Sequence, residues 1–173
     1  MEYLKKIIHF LAMIIYVFIF VYALVCIPIL FKYNPLVVLT GSMEPTFKIG
    51  SVIYYKEINE NELKVGDIIT FKVNNDKLVS HRIISIENGL IETKGDANRI
   101  SDASKVRFED IQGRDAKVCI PYVGYYIQWI NENLTVTIVF TVIILVSEFL
   151  FSNVETLDID KEEGRRDDNE KEK

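Results

Sequence analysis

The stretch VVLTGSMEPTFKIGSVIYYK, Val37 to Lys56, decides how this chain folds, because it joins an apolar run to a segment typical of β-structure. Gly41 before Ser42 and Pro45 three residues after it bracket a turn whose backbone amides can point outward. The run SVIYYKEI that follows is rich in β-branched and aromatic residues, as strands are. The stretch therefore predicts an exposed serine in a turn, followed by a strand.

Further along the chain, three more runs have the composition of strands. They are GDIITFKV, KLVSHRIISIE and LIETKG, between residues 66 and 95. Asn74–Asp76 and Asn88-Gly89 separate them and predict hairpins, because Asn and Gly accept positive φ. Only Tyr122 to Asn133 shows a helical period. The sequence therefore predicts a mainly β, antiparallel domain.

An apolar run of 25 residues, Ile7 to Phe31, precedes this domain and contains no Asp, Glu, Lys or Arg. At ~1.5 Å per residue, a helix of that length exceeds the ~30 Å hydrocarbon core of a bilayer. The apolar region of a cleaved secretory signal has only about 7–15 residues. We therefore expect residues 7–31 to form a transmembrane anchor that is retained.

A second apolar run follows the domain, from Leu134 to Phe151. Its 18 residues are interrupted only by Glu148, whose carboxylate could reach the interface by snorkelling. The run predicts a second transmembrane helix over residues 134–151. The alternative is a buried or interfacial helix, because the run is short for a membrane span.

Two spans would place both termini on one side of a membrane. Lys5 and Lys6 before the first span, against Lys32 after it, predict a cytoplasmic N-terminus, residues 1–6. Residues 32–133 would then form an extracytoplasmic domain of a multi-pass protein of the cell membrane, or of the endoplasmic reticulum membrane in a eukaryote. Residues 152–173 would form a charged cytoplasmic tail, since Glu155–Lys173 holds nine acidic and five basic residues.

Charge and cysteine content exclude several kinds of function. That tail carries most of the chain's net charge of −5, so the remainder is nearly neutral and has no nucleic-acid footprint. Cys26 and Cys119 lie far apart, and the two histidines are His9 and His81. These positions give neither metal-ligand spacing nor a structural disulfide, so we predict no metal and no cofactor.

Outside the apolar runs the chain has one histidine, His81, to serve as a base for Ser42. Taken alone, a single Ser and a single His are more often a plain turn serine and a surface strand histidine. However, the boxes TGSMEPTFKIGS, VGDIITFK, SHRIISI and TKGDANRISD, in that order, resemble the membrane-bound type I signal peptidases. The match is closest to the branch of the endoplasmic reticulum, archaea and some Gram-positive bacteria, in which histidine replaces the lysine base.

This resemblance implies a serine endopeptidase that removes signal peptides from secreted preproteins. It implies that Ser42 is the nucleophile, His81 the general base and Asp102 the third catalytic residue. Asp96 would be a supporting acid, and Thr40 with the Ser42 backbone N–H would form the oxyanion hole. Turn capping is the alternative role for the Thr40 hydroxyl. Lys72, Lys77 and Lys94 are expected to be solvated.

The positions of the two acids, Asp96 and Asp102, predict different roles for them. Asp96 follows Gly95 directly and is suited to Asx-type hydrogen bonds to the turn backbone, whereas Asp102 is free to reach His81. Ser42 lies ten residues beyond Lys32, close to where a preprotein would emerge from the membrane.

We therefore expect preproteins and the lipid bilayer as partners, with a link to the secretion translocon. The rival hypotheses are a non-catalytic membrane assembly subunit and a protease dedicated to a few substrates.

Overall fold

The computed structural model describes residues 2–73 and 77–151. The predicted charged tail and the predicted turn at Asn74–Asp76 lie outside these residues. The chain divides into two compact units. One is formed by Ala23–Glu132, and the other by residues 2–22 together with residues 133–151.

The apolar runs are helical. Helix α1 spans Glu2–Cys26 and is followed by a 3-10 turn, Ile27–Phe31, so the helix begins five residues before the predicted span. Helix α3 spans Leu134–Phe151, the second apolar run. By length and composition, Tyr3–Phe31 and Leu134–Phe151 could each cross a membrane. The Glu148 carboxylate has a hydrogen-bond partner on α1, because its Oε2 accepts a 2.8 Å hydrogen bond from the Tyr16 hydroxyl.

The unit Ala23–Glu132 is built on one seven-stranded sheet, in which all paired strands are antiparallel. The strand order is β1-β2-β7-β3-β4-β5-β6. The prediction of an antiparallel β-domain is confirmed. The strands are β1 Asn34–Val37, β2 Val52–Lys56, β3 Ile68–Val73, β4 Lys77–Glu87, β5 Leu90–Lys94, β6 Val106–Arg107 and β7 Ile111–Ile120.

Strands β2 to β5 coincide with the four runs identified in the sequence, and the turn between β4 and β5 has positive φ at Asn88 and Gly89, as predicted. Helix α2, Val123–Glu132, matches the segment with helical period. Strands β1, β6 and β7 were not predicted. Strand β1 is a four-residue edge strand that contains Pro35, and β6 has only two residues. Proline and short length both weaken the sequence signal of a strand.

The sequence of β7 does not alternate regularly, and this is why the strand was not predicted. In the structure, the pairing of β7 with β2 is correspondingly irregular. Lys117 has φ 58°, and its backbone N–H donates a 2.7 Å hydrogen bond to Asp115 Oδ1. The strand also contains Gly113 and Arg114, so apolar and polar residues do not alternate regularly. A bulge with charged residues removes the period by which strands are recognised.

Two apolar clusters hold the elements that carry the polar groups described below. The larger one lies along β3, β4, β5 and β6 and buries Leu63, Ile69, Phe71, Ile83, Ile91 and Val106. A second cluster joins Met43, the last residue of the tight turn Gly41–Met43, and Phe47, four residues further on, to Ile53 of β2. Burial of these two side chains fixes the turn at Gly41–Met43 on the sheet.

Candidate active site

The Ser42 turn is a short 3-10 segment, Gly41–Met43. The Glu44 N–H donates to the Gly41 carbonyl at 3.0 Å, and the Phe47 N–H donates to the Met43 carbonyl at 3.0 Å. Met43 and Phe47 are each 3% exposed, whereas Ser42 is only partly buried. The predicted turn is confirmed, and it presents the Ser42 hydroxyl while its neighbours are held in the core.

His81 lies on β4, directly opposite Ile69 of β3. Its side chain is buried, and its ring and the Phe71 ring pack in a T-shaped arrangement with their centroids 6.3 Å apart. Its Nε2 is 3.1 Å from Ser42 Oγ. The strand and the Phe71 ring therefore hold the imidazole in one orientation, facing the serine.

Asp102 meets the other side of the same ring. Its Oδ2 lies 2.6 Å from His81 Nδ1 and also accepts a 2.6 Å hydrogen bond from the Thr93 hydroxyl. The Asp102 backbone N–H donates to the Thr93 carbonyl at 2.9 Å, so β5 fixes the acid at two points. Because a carboxylate only accepts, the proton lies on His81 Nδ1, and Nε2 is left as the acceptor for Ser42.

Asp96 has different partners. Arg82 donates from Nε to Oδ1 at 2.8 Å and from Nη2 to Oδ2 at 2.7 Å, and the Thr46 hydroxyl donates to Oδ2. The bidentate Arg82 contact, with the Thr46 bond, holds the pKa of Asp96 below its ordinary value. The expectation of Asx-type bonds to the turn backbone was wrong. A guanidinium fork matches both carboxylate oxygens and is the stronger partner.

The loop that carries Asp96 also contacts the serine through its backbone. The Ala97 N–H donates to the Ser42 carbonyl at 2.8 Å. A Cβ at position 95 would lie only 2.6 Å from the same carbonyl oxygen, so Gly95 is required for this close approach. Together with the Thr46–Asp96 bond, these contacts join the serine turn to the loop between β5 and β6.

Thr40 precedes the serine turn with an extended backbone, φ −130° and ψ 157°, and its side chain makes no capping hydrogen bond to the turn. The alternative role predicted for it, turn capping, is therefore not seen. Thr40 lines a groove of about 440 Å³ together with Ser42 and His81. The lining of the groove also includes residues 36–39 and 77–80.

The lysines near the site differ in burial. Lys72 and Lys77 are exposed, as predicted, whereas Lys94 is partly buried on β5. Within residues 2–73 and 77–151, no group of three His, Cys, Asp or Glu side chains could hold a metal ion.

Four residues of this arrangement were given no role from sequence: Arg82, Thr46, Thr93 and Gly95. Each stands inside one of the quoted boxes, and Arg82 directly follows His81. The boxes were therefore a signal that these positions matter. The partners of each residue could not be read from spacing, since Thr46 and Asp96 lie 50 positions apart.

The structure thus brings Ser42, His81 and Asp102 into one chain of hydrogen bonds, and it places Asp96 outside that chain. A hydroxyl next to an acceptor nitrogen, with a carboxylate on the far nitrogen, is the arrangement needed to activate an alcohol as a nucleophile.

Comparison with known proteins gives a consistent assignment. The chain is 39% identical over 124 residues to signal peptidase I W of Bacillus subtilis, which covers 64% of this chain and 65% of that protein. It is 34% identical over 117 residues to the signal peptidase complex catalytic subunit SEC11 of Candida tropicalis, covering 60% and 69%. It is 37% identical over 101 residues to the human subunit SEC11C, covering 51% and 52%. The chain thus matches between about half and two thirds of each relative's length. The family model for signal peptidase, peptidase S26, matches residues 9–116, more than half of the chain, and the chain therefore belongs to this family.

Proposed function

We propose that the chain is a membrane-bound serine endopeptidase that removes N-terminal signal peptides from secreted preproteins. The observation that carries this proposal is the hydrogen-bonded series Ser42–His81–Asp102 in a member of the signal peptidase family. Two of the relatives are named as catalytic subunits of a signal peptidase complex. A non-catalytic assembly role would not require these three side chains to be aligned.

In the first half of the reaction, Ser42 Oγ attacks the carbonyl carbon of the scissile peptide bond. His81 Nε2 takes the hydroxyl proton, since it lies 3.1 Å from Oγ and carries a lone pair in the tautomer set by Asp102. Asp102 stabilises the imidazolium that forms. The imidazolium then gives its proton to the leaving amine, the C–N bond breaks, and an ester to Ser42 remains.

The second half repeats these roles with water. His81 takes a proton from a water molecule that attacks the ester carbonyl, and it returns that proton to Ser42 Oγ as the signal peptide leaves. In each half, negative charge develops on the carbonyl oxygen. The Ser42 backbone N–H and the Thr40 hydroxyl are the proposed donors to it, and loss of one such donor typically costs ~10²–10³ in rate.

The groove beside Ser42 suits an extended peptide. Within the described sheet, β5 pairs with Arg82–Glu87 of β4, so Lys77–His81 are paired only with β3. This half-strand and residues 36–40 line the same groove. A peptide that binds along the edge would alternate its side chains, so the residues one and three before the cut would face the same wall. Leu36, Val38 and Ile53 make that wall apolar, and it would favour small apolar side chains.

The proposed location is a membrane, with residues 7–31 and 134–151 as spans. Two helices of sufficient length and apolarity support this placement. The excess of Lys5 and Lys6 over Lys32 supports a cytoplasmic N-terminus, an extracytoplasmic domain over residues 32–133 and a cytoplasmic tail over residues 152–173. Preproteins arrive from the secretion machinery, so an association with the translocon is part of the proposal.

The test is cleavage of a model preprotein by the full-length chain in membranes. Ser42→Ala should abolish cleavage while the protein remains in the membrane. Ser85→Ala is the matched control, because Ser85 lies on the same strand as His81 and its hydroxyl bonds only to Glu92 in the described structure. Mature product that forms at the parental rate with Ser42→Ala would refute the proposal.

A further inference from the structure

Thr93 lies in the interior of the β-domain, on strand β5. The residue is fully buried and is paired with Ile83 of β4. Its hydroxyl donates a 2.6 Å hydrogen bond to Asp102 Oδ2. A buried hydroxyl is costly unless it is hydrogen-bonded. Valine has nearly the same shape and needs no partner, so the hydroxyl, and not the size of the side chain, distinguishes Thr93 at this position.

Thr93 and His81 contact the same oxygen of Asp102. His81 Nδ1 and the Thr93 hydroxyl each lie 2.6 Å from Oδ2, and among the described residues these two side chains are the hydrogen-bond partners of the carboxylate. The terminal torsion of an aspartate is broad, so covalent geometry does not hold an oxygen in front of the imidazole. The Thr93 hydroxyl restricts this torsion, because other orientations of the carboxylate would leave a buried donor unpaired.

The backbone contact between the same two residues does not supply this restraint. The Asp102 N–H donates to the Thr93 carbonyl at 2.9 Å, which holds the main chain of Asp102 beside β5 but leaves its side-chain torsions free. Asp102 lies outside the strands, and its side chain is 23% exposed, against 9% for His81. Packing therefore restrains the acid less than it restrains the imidazole.

The sheet holds the two donors on either side of the acid. Strands β4 and β5 pair from Arg82 opposite Lys94 onward, and His81 directly precedes Arg82, while Thr93 directly precedes Lys94. Both donors are thus fixed by one antiparallel pairing. The Asp102 side chain is the member of the series whose orientation must come from its hydrogen bonds.

We propose that Thr93 is a positioning residue for the peptidase reaction. Its hydroxyl holds Asp102 Oδ2 in line with His81 Nδ1. The imidazole then keeps the tautomer and the orientation in which Nε2 accepts the Ser42 proton. Because Thr93 acts through Asp102, its loss should slow the chemical step and leave substrate binding unchanged. This inference rests on the function proposed above.

Two substitutions at position 93 separate this role from a structural one, with the full-length protein in detergent and a model preprotein. Thr93→Val removes the hydroxyl and keeps the shape. We expect kcat to fall about 10- to 100-fold with KM unchanged, as for the loss of a hydrogen bond to a charged group. Thr93→Ser keeps the hydroxyl and removes a buried methyl group, so it should lower the urea midpoint but retain most of the parental kcat.

A purely structural role for Thr93 predicts the reverse order, with the serine variant less active than the valine variant. That order would overturn the proposal. A parental kcat in Thr93→Val would also overturn it, and so would an equal loss of kcat in the two variants.

Thr70→Val is the matched control. Thr70 is also fully buried, on β3, and the partner of its hydroxyl is the Ser80 hydroxyl, 2.8 Å away. The change removes the same group from an equally buried position, so it should lower the urea midpoint without a comparable fall in kcat. A kcat as low as that of Thr93→Val would show a general effect of losing a buried hydroxyl, and the proposal would fail.

The proton on His81 Nδ1 gives a readout that does not need cleavage. The chain has two histidines, so protein labelled with isotopic nitrogen in histidine gives two sets of ring signals in magnetic resonance, which His81→Ala assigns. The short contact with Asp102 should place this proton far downfield. Thr93→Val should shift the resonance upfield or lose it by exchange with water, whereas Thr93→Ser should preserve it. An unchanged resonance in Thr93→Val would contradict the positioning role.

The two measurements distinguish the two proposals. If the parent cleaves no preprotein and Thr93→Val still loses the Nδ1 resonance, the proposed function alone is overturned. If the parent cleaves the preprotein and Thr93→Val cleaves it with the same kcat, the positioning role alone is overturned.

Discussion

Asp115 makes the stability of the β-domain depend on pH in a direction that can be measured. Its side chain lies in the β7 bulge and is 6% exposed. Oδ1 accepts the Lys117 N–H, whereas the buried Oδ2 has no hydrogen-bond partner in the described structure. Burial raises the pKa of Asp115 from 3.8 to about 6, although the Lys117 bond and the charges of Lys117 and Arg82 act in the opposite direction.

The direction of the pH dependence is set by the difference between the pKa of Asp115 in the folded chain and in the unfolded chain. The fold favours the protonated acid, so the contribution of Asp115 to stability is fully present below about pH 4 and is lost as the pH rises through about 6. A rise in pKa of this size corresponds to about 3 kcal/mol. Residual solvent contact reduces this figure, and we expect about 2–3 kcal/mol.

The perturbation is Asp115→Asn, which keeps an acceptor for the Lys117 N–H and cannot ionise. The free energy of unfolding would be measured by urea titration, followed by near-ultraviolet circular dichroism, for the full-length protein in detergent at pH 4 and pH 7. From pH 4 to pH 7, the free energy of unfolding of the variant should rise by about 2–3 kcal/mol relative to that of the parent. Any cost of the new amide group is the same at both and cancels. A difference between variant and parent that does not change with pH would refute the reasoning.

The remaining predictions concern the site. Asp102→Asn should cut cleavage by ~10⁴ without changing the urea midpoint, as loss of a triad carboxylate does elsewhere; retained activity would assign the third catalytic role to another residue. Asp96→Asn should lower the free energy of unfolding by ~1–3 kcal/mol, because Arg82 loses its charged partner, and urea titration would measure it. Equal stability with lost cleavage would instead make Asp96 catalytic. Gly95→Ala should displace the Ser42 turn, since the new Cβ would lie 2.6 Å from its carbonyl oxygen. The rate of preprotein cleavage should fall, while the far-ultraviolet circular dichroism spectrum, which reports secondary structure, should change less. Cleavage at the parental rate would contradict the close approach.

The sequence was sufficient to predict the elements whose signal comes from neighbouring residues. The composition of β4 and the Asn88-Gly89 turn are properties of neighbouring residues, so strand and hairpin could both be predicted. The order of the boxes was sufficient to select Ser42 and His81. Distances between these residues could not be predicted, because they depend on strand register and on the packing of Met43 and Phe47.

The sequence was insufficient where tertiary contacts decide the outcome. The bulge at Lys117 conceals β7, and the partner of Asp96 is an arginine on another strand, not the adjacent backbone. Snorkelling of Glu148 to the membrane interface stays a prediction, but its hydroxyl partner, Tyr16 on the other helix, could not be identified from the sequence. In each case the deciding group is distant in sequence, where neither propensity nor periodicity carries information.

The half of β4 that pairs only with β3 in the described sheet, Lys77–His81, also has a consequence for self-association and inhibition. An open strand edge pairs with any extended chain through backbone groups, including a second copy of the same edge. Lys77 at its outer end places a charge that opposes such pairing between copies. Backbone hydrogen bonds do not discriminate between most side chains. Peptides of unrelated sequence should therefore compete with one another for this edge. N-methylation of a peptide's amides at the pairing positions should abolish that competition, even when its side chains are unchanged.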